Sequence, residues 1–254
     1  MSKNIYSLGF ALVLAGWCVG IGTRAGEPER IRISAEAWSA TPPIPISMGG
    51  YSGEVDRVLR FDLEIAGFKF VPESDSACQY VLKGGNAGQV EGRLTDVLKR
   101  ATLFAKAYSG GSARSQAHAL ADDVVLAVTG KPGIARTKIA FKVAQGQTSE
   151  IYVADYDGHG AVPATEDKSI AAAPTWRPGH RMLVYTTSKL GNPDIVSPNL
   201  DSQERRVVAR YSGSNISPAV SPDGRRVAMI LRNDGRPAVY VAHIDGTGGE
   251  QMRW

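Results

Sequence analysis

Two periodicities divide this chain. From Arg136 onward, apolar positions alternate in short runs: Arg136 to Val143, Met182 to Thr186, Asp194 to Ser197, Arg205 to Ala209, Val227 to Leu231 and Ala238 to Ala242. That period of two, broken by Gly, Pro and Asp, predicts strands and turns. Before Arg136 the pattern is mixed. Glu54 to Ile65 sets Val55, Val58, Leu59 and Leu63, with Phe61 beside them, at helical spacing, and Gly67 ends the run. A second helix is expected from Ser115, taken as its cap, to Val128, with Ala119, Ala121, Val124, Val125 and Val128 on its apolar face; Thr129-Gly130 and Pro132 close it. Ile31 to Ile33, Pro43 to Ile46, Phe68 to Val71, Tyr80 to Lys83, Val90 to Thr95 and Leu103 to Tyr108 read as strands. The fold class expected is an α/β N-terminal domain followed by an all-β region.

The all-β region repeats itself. Pro174 and Pro218 are 44 residues apart, as are Pro178 and Pro222, Arg181 and Arg225, Gly191 and Gly235, Pro193 and Pro237, and Asp201 and Asp245. A partial copy beginning Ile151-Tyr152-Val153-Ala154 lies 88 before Val239-Tyr240-Val241-Ala242, with no gaps needed. Short strands repeating at this period are the signature of propeller blades. Pro222-Asp223-Gly224 is a turn with a mechanism, because Pro fixes φ and Asp and Gly tolerate the positions that follow. Pro178-Gly179 is its weaker counterpart. The 118 residues from Thr137 to Trp254 make about 2.7 units of 44, so an incomplete propeller is expected. An open fan leaves an unpaired strand edge and an uncovered sheet face. The shortfall favours a truncated gene or gene fragment, over completion by another protomer or a short variant stable by itself.

The N-terminus changes the composition arithmetic. Met1-Ser2-Lys3 followed by the uncharged stretch Ile5 to Ile21, with Thr23-Arg24-Ala25 at its end, reads as a cleaved secretory leader over residues 1–25 rather than an anchor. Trp17 immediately before Cys18 argues against a lipoprotein signal. Export places the mature chain in an oxidising compartment, where Cys78 is left as a lone thiol, read as a small buried apolar residue. The whole chain has 29 basic and 25 acidic residues, net +4. Cleavage would lower even that excess, which is too small and dispersed to argue for nucleic acid.

Catalytic and metal motifs are weak. His118, His159, His180 and His243 show neither H-x-x-x-H nor H-E-x-x-H spacing, so no metal or other cofactor is expected. Asp155-Tyr156-Asp157-Gly158 lacks the later ligands of a calcium loop and reads as a turn. Gly84-Gly85-Asn86-Ala87-Gly88 lacks a phosphate-loop lysine and reads as a hairpin turn. A prolyl-oligopeptidase-type hydrolase would need a G-x-S-x-G elbow, and none occurs. Arg205-Arg206 and Arg225-Arg226 read as solvated charges that protect strand edges.

The junction carries a resemblance. Thr129-Gly130, Gly133 and Arg136-Thr137-Lys138-Ile139-Ala140-Phe141, then Ala154-Asp155-Tyr156-Asp157-Gly158, Pro174-Thr175-Trp176-Arg177-Pro178 and Ser221-Pro222-Asp223-Gly224, are similar to motifs of the TolB family, the periplasmic component of the Tol–Pal envelope system. The resemblance is specific over residues 115–254 and weak before that, where Pro42 to Met48 departs from the family's pattern. It implies domains at 26–135 (α/β) and 136–254 (partial propeller), periplasmic localisation, no enzymatic reaction, and partners resembling the lipoprotein Pal and the protein TolA. Glu29, Arg30, Ile31, Arg32 and Ile33 are the partner-binding residues it implies, by strand addition. Pro178, Gly179, Pro222, Asp223 and Gly224 are structural turn residues, and the loops around them would offer a surface to Pal. The alternative is an accessory propeller binding a small ligand or carbohydrate in its channel.

Overall fold

The computed structural model describes residues 42–252 except Gln203 and Asp234. The leader, the strand at Ile31 to Ile33 and the segment Glu29 to Ile33 lie outside the described residues.

Strand β1 (Ile44–Gly49) is followed by helix α1 (Gly53–Ile65), β2 (Phe68–Phe70), β3 (Tyr80–Gly85), β4 (Val90–Asp96), β5 (Ala101–Tyr108) and helix α2 (Ala113–Thr129). The strands form one sheet in the order β2-β1-β3-β4-β5, with β1 parallel to both neighbours and the other pairs antiparallel. Alternation along β4 buries Val90, Gly92 and Leu94 and exposes Glu91 and Arg93. The buried side meets Val55, Leu59 and Leu63 of α1 and Ala117, Leu120 and Val124 of α2 in one core. Gly92 lets α2 lie close: a Cβ there would stand 2.5 Å from Leu120 Cδ1.

In the two helices, three details differ from the sequence expectations. Helix α2 is capped by Ser112, not Ser115; Ser112 has extended dihedrals, and its Oγ accepts the Ser115 N–H at 3.1 Å. Ala119 is only half-buried, and Ala117 and Leu120 take the core positions. In α1 the neighbours Phe61 and Asp62 exchange roles: Phe61 is exposed and Asp62 is buried, because Asp62 finds polar partners inside.

After α2 the chain is all β. Strands β6 (Lys138–Gln145), β7 (Thr148–Asp155) and β8 (Val162–Pro163) form one sheet. Strands β9 (Ala171–Trp176), β10 (Leu183–Thr187), β11 (Asp194–Pro198) and β12 (Arg205–Ala209) form the next. Strands β13 (Ser214–Val220), β14 (Arg226–Asn233), β15 (Arg236–His243) and β16 (Glu250–Gln251) form a further sheet. Both β10 and β11 are buried along their whole length. Leu183, Tyr185 and Val196 pack with Ile151 of the preceding sheet, whereas Val184 and Ile195 pack with Val227 and Met229 of the following one. A sheet covered on both faces needs apolar side chains at successive positions. This explains why Leu183, Val184 and Tyr185 follow one another in β10 where a half-covered strand would alternate. Among the described residues, no helix is long and apolar enough to cross a membrane.

The repeat extends to the backbone. Ala173 in β9 and Ser217 in β13, 44 residues apart, hold φ values of 50° and 55°, in the left-handed region. Each precedes a proline and lies where pairing to the next strand shifts register. The Ser217 N–H donates to Thr186 Oγ1 of the preceding sheet at 3.1 Å. The bulge therefore turns a backbone donor out of its own sheet and spends it on docking to the neighbour.

Buried carboxylates tie adjoining sheets. Glu150 of β7 accepts from Thr165 Oγ1 and from the backbone N–H groups of Asp167 and Lys168. Asp167 in turn accepts from Tyr185 Oη at 2.8 Å and Thr187 Oγ1 at 2.6 Å, and pairs with Arg205 at 2.7 Å. Burial raises the carboxyl's pKa, but bonds from Thr187, Arg205 and Tyr185 outweigh it and hold Asp167 below the usual carboxylate range. Arg205 is thus the nearer of two cations that seal a buried acid, Lys189 lying 3.5 Å from the same carboxylate, which corrects its reading as a solvated edge charge. Arg206, on edge strand β12, does pair at the surface with Glu204. Arg226 begins β14, an internal strand, so the Arg225-Arg226 pair guards no edge.

Two predictions follow from this bonding. Ser217→Gly should stabilise the chain by about 1 kcal/mol, against the usual cost of glycine in a strand, because it relieves a left-handed L-residue; thermal denaturation beside Ala173→Gly checks it. Asp167→Asn should destabilise by about 3 kcal/mol by leaving Arg205 unpaired. Because the folded pKa is lowered, Asp167 contributes stability above its unfolded pKa, near 3.8, and loses it as pH falls through the folded value. Denaturant midpoints between pH 7 and pH 3 should therefore fall less steeply in the variant.

Candidate functional site

The repeat turns come together. In Ser221-Pro222-Asp223-Gly224 the Gly224 N–H donates to Ser221 O at 2.8 Å, and Asp223 Oδ1 accepts from Arg225 N at 3.0 Å. Gly224 has φ 69°. The turn at Pro178 and Gly179 closes with His180 N donating to Arg177 O at 3.2 Å, Gly179 having φ 74°. Arg177 Nε then donates to Gly224 O at 3.1 Å, joining one turn to the next. A Cβ on Gly224 would stand 3.3 Å from Pro178 O, so glycine serves both the dihedral and the approach.

Beside Pro178 and Gly179 lies a groove of about 640 Å³, lined by Lys138, Val162, Trp176, Arg177, His180 and Arg181 among others. No acidic side chain lines it among the described residues. Lys138 and Arg181 are exposed at its rim and make surface ion pairs with Asp155 and Asp201. The buried indole N–H of Trp176 has no hydrogen-bond partner among the described residues. Basic side chains around an aromatic surface suit an anionic or acidic segment.

A second polar centre lies where the helices meet β7. Asp62 of α1 accepts from Tyr156 Oη at 2.6 Å and lies 2.7 Å from His118 Nδ1 of α2. The rings of His118 and Tyr156 meet edge to face, with centroids 5.9 Å apart. Burial, followed by the bond to Asp62, pushes the Tyr156 hydroxyl well above its ordinary pKa, so it stays a donor. Arg114 bonds Asp157 and Glu54 and lies 3.8 Å from Asp155. His118, Asp155 and Asp157 bring one ligand atom each within 4.8 Å of one another.

Sequence spacing assigned this centre to an ordinary turn and a lone histidine. Asp155 and Asp157 do flank a turn, but Asp157 is nearly buried. The available signal was Asp62, an acid in the middle of an apolar helix face. His159, His180 and His243 are exposed, and Cys78 is buried with Sγ 3.3 Å from Tyr80 O.

Known proteins share this architecture. A family model described as the TolB beta propeller domain matches residues 125–253. The Tol-Pal system protein TolB of Desulfosudis oleivorans is 30% identical over 180 residues, covering 68% of this chain and 41% of that protein. Its counterpart in Anaeromyxobacter dehalogenans is 26% identical over 283 residues, covering 95% of this chain and 64% of its own length. The crystal structure of TolB from Acinetobacter baumannii aligns with a TM-score of 0.72 at 20% identity, over 83% of this chain and 60% of that one, a likeness of fold. The chain spans about half the length of the curated relatives it matches. Because the matched span takes in both the repeats and the end of the helix that leads into them, the chain belongs to the TolB β-propeller family.

Proposed function

We propose that this chain is a non-enzymatic, periplasmic protein-binding scaffold of the Tol–Pal envelope system. The reading divides it near residue 135 into an α/β part and a partial propeller. The observation that carries it is the basic, Trp176-floored groove beside the repeat turns, in a chain whose relatives are named as Tol-Pal system proteins. That groove would receive an acidic stretch of a Pal-like lipoprotein, with Lys138 and Arg181 steering the approach and the Trp176 side chain offering apolar contact. The segment Glu29 to Ile33 would engage a TolA-like protein by adding a strand to it. The work is done by surfaces, with rigidity supplied by the stacked sheets behind them.

The direct experiment is capture from an envelope extract with the exported chain, its fold confirmed by circular dichroism. Retention of a Pal-like or TolA-like protein is expected, and recovery of neither from a folded chain overturns the reading. Lys138→Glu with Arg181→Glu should weaken Pal-like binding about tenfold, with a smaller salt dependence than the parent. Unchanged affinity would remove the groove from the proposal.

A further inference from the structure

We propose that the buried centre between α1, α2 and the Asp155–Gly158 turn is a divalent-metal site, with His118 Nε2, Asp155 and Asp157 as its protein ligands. Ionised Asp62 can only accept hydrogen bonds, and it takes one from Tyr156 and one from His118 Nδ1. Nδ1 therefore carries the imidazole hydrogen, and in the neutral ring Nε2 presents its lone pair. His118 is 4% exposed, and Nε2 has no hydrogen-bond partner among the described residues. What Nε2 faces is Asp157 Oδ2, at 3.8 Å. That oxygen is paired with the Arg114 guanidinium, so an ion bound at Nε2 would take over the neutralising role that Arg114 plays there. A histidine oriented by a carboxylate through one nitrogen, with the other aimed at further acids, is the arrangement of a metal-binding imidazole.

Charge supports the same conclusion. Glu54, Asp62, Asp155 and Asp157 gather around Arg114 and Lys138. Four carboxylates against two cations leave two negative charges, the deficit a divalent ion fills. One imidazole and two carboxylates form a nitrogen–oxygen set suited to zinc or another first-row dication rather than to calcium, which favours oxygen alone. The ligand atoms lie within 4.8 Å of one another, so closing to bonds of about 2.0–2.2 Å requires a modest contraction. Asp157 sits on a turn that can supply it. Arg114 must yield its place, and Glu54, already 3.2 Å from Nη1, offers it an outward anchor. A bound ion would join α2 to the end of β7 and so couple the helical layer to the first sheet of the repeat region.

The test uses the full exported chain, stripped with chelator and titrated with Zn²⁺ by calorimetry and with Co²⁺ by visible absorption. One ion per chain is expected, with a Co²⁺ spectrum typical of mixed imidazole and carboxylate ligands and a rise in Tm on adding Zn²⁺. His118→Gln and Asp157→Asn should each lower affinity at least about tenfold and abolish the Tm rise. If either variant fails to fold, Asp155→Asn, at a more exposed ligand, and the ¹⁵N shift of His118 Nε2 in the parent on adding Zn²⁺ provide the same readout. No stoichiometric binding by the parent, binding that these variants leave intact, or an Nε2 resonance that reports a resident proton and ignores Zn²⁺ would each overturn the proposal.

Discussion

A sheet inside a stack has two faces to bury and only its neighbours to bury them with. In this chain that constraint is most complete in the sheet β9–β12, where β10 and β11 are buried throughout. Leu183 and Tyr185 turn toward the preceding sheet and Val184 toward the following one. At roughly 25 cal/mol per Å² of apolar surface, such double coverage is the main stabilising term available to the repeats. It also explains why they recur at a fixed interval: each new sheet has to present the same two faces at the same spacing.

Apolar faces fix that sheets stack but leave their lateral position loosely defined. Directional bonds between neighbours supply that information. Glu150 and Asp194 occupy the same repeat position, 44 residues apart, and each gathers the segment that leads into the next sheet. Glu150 organises the loop that delivers Asp167 to Tyr185, Thr187 and Arg205, while Asp194 is contacted by Asn215 at 3.4 Å and Arg210 at 3.5 Å. The environments differ, because burial raises Asp194's pKa against the pull of Arg210, whereas dense hydrogen bonding lowers that of Asp167. The backbone bulges at Ala173 and Ser217 serve the same end from the opposite direction. A left-handed L-residue costs about 1 kcal/mol; at Ser217 the exchange is visible, since the freed N–H bonds Thr186 of the adjoining sheet. At the helical end, the Asp62–His118–Tyr156 centre does for α1, α2 and β7 what the carboxylates do between sheets. The basic groove is the outward product of this stacking, since its walls come from two adjoining sheets and turns within them.

The sequence by itself determined both helices, many of the strands and the repeat. Period-two and helical spacing located both helices and many of the strands within a few residues, because those signals are local. Spacing did not locate strands such as β9 (Ala171–Trp176) and β13 (Ser214–Val220), which Pro174 and Pro218 interrupt. The 44-residue recurrence disclosed the repeat, and Pro222-Asp223-Gly224 disclosed its turn, because backbone dihedrals depend on the residues that adopt them. Tertiary structure decided the polar centres. Nothing near Asp62 in sequence announces His118 or Tyr156, which lie 56 and 94 residues away. Arg205 looked like an edge charge because Asp167, its partner, comes 38 residues earlier in a different strand connection. Phe61 and Asp62 exchanged places for the same reason: hydrophobicity ranks a side chain against water, whereas burial ranks it against the partners that the fold supplies.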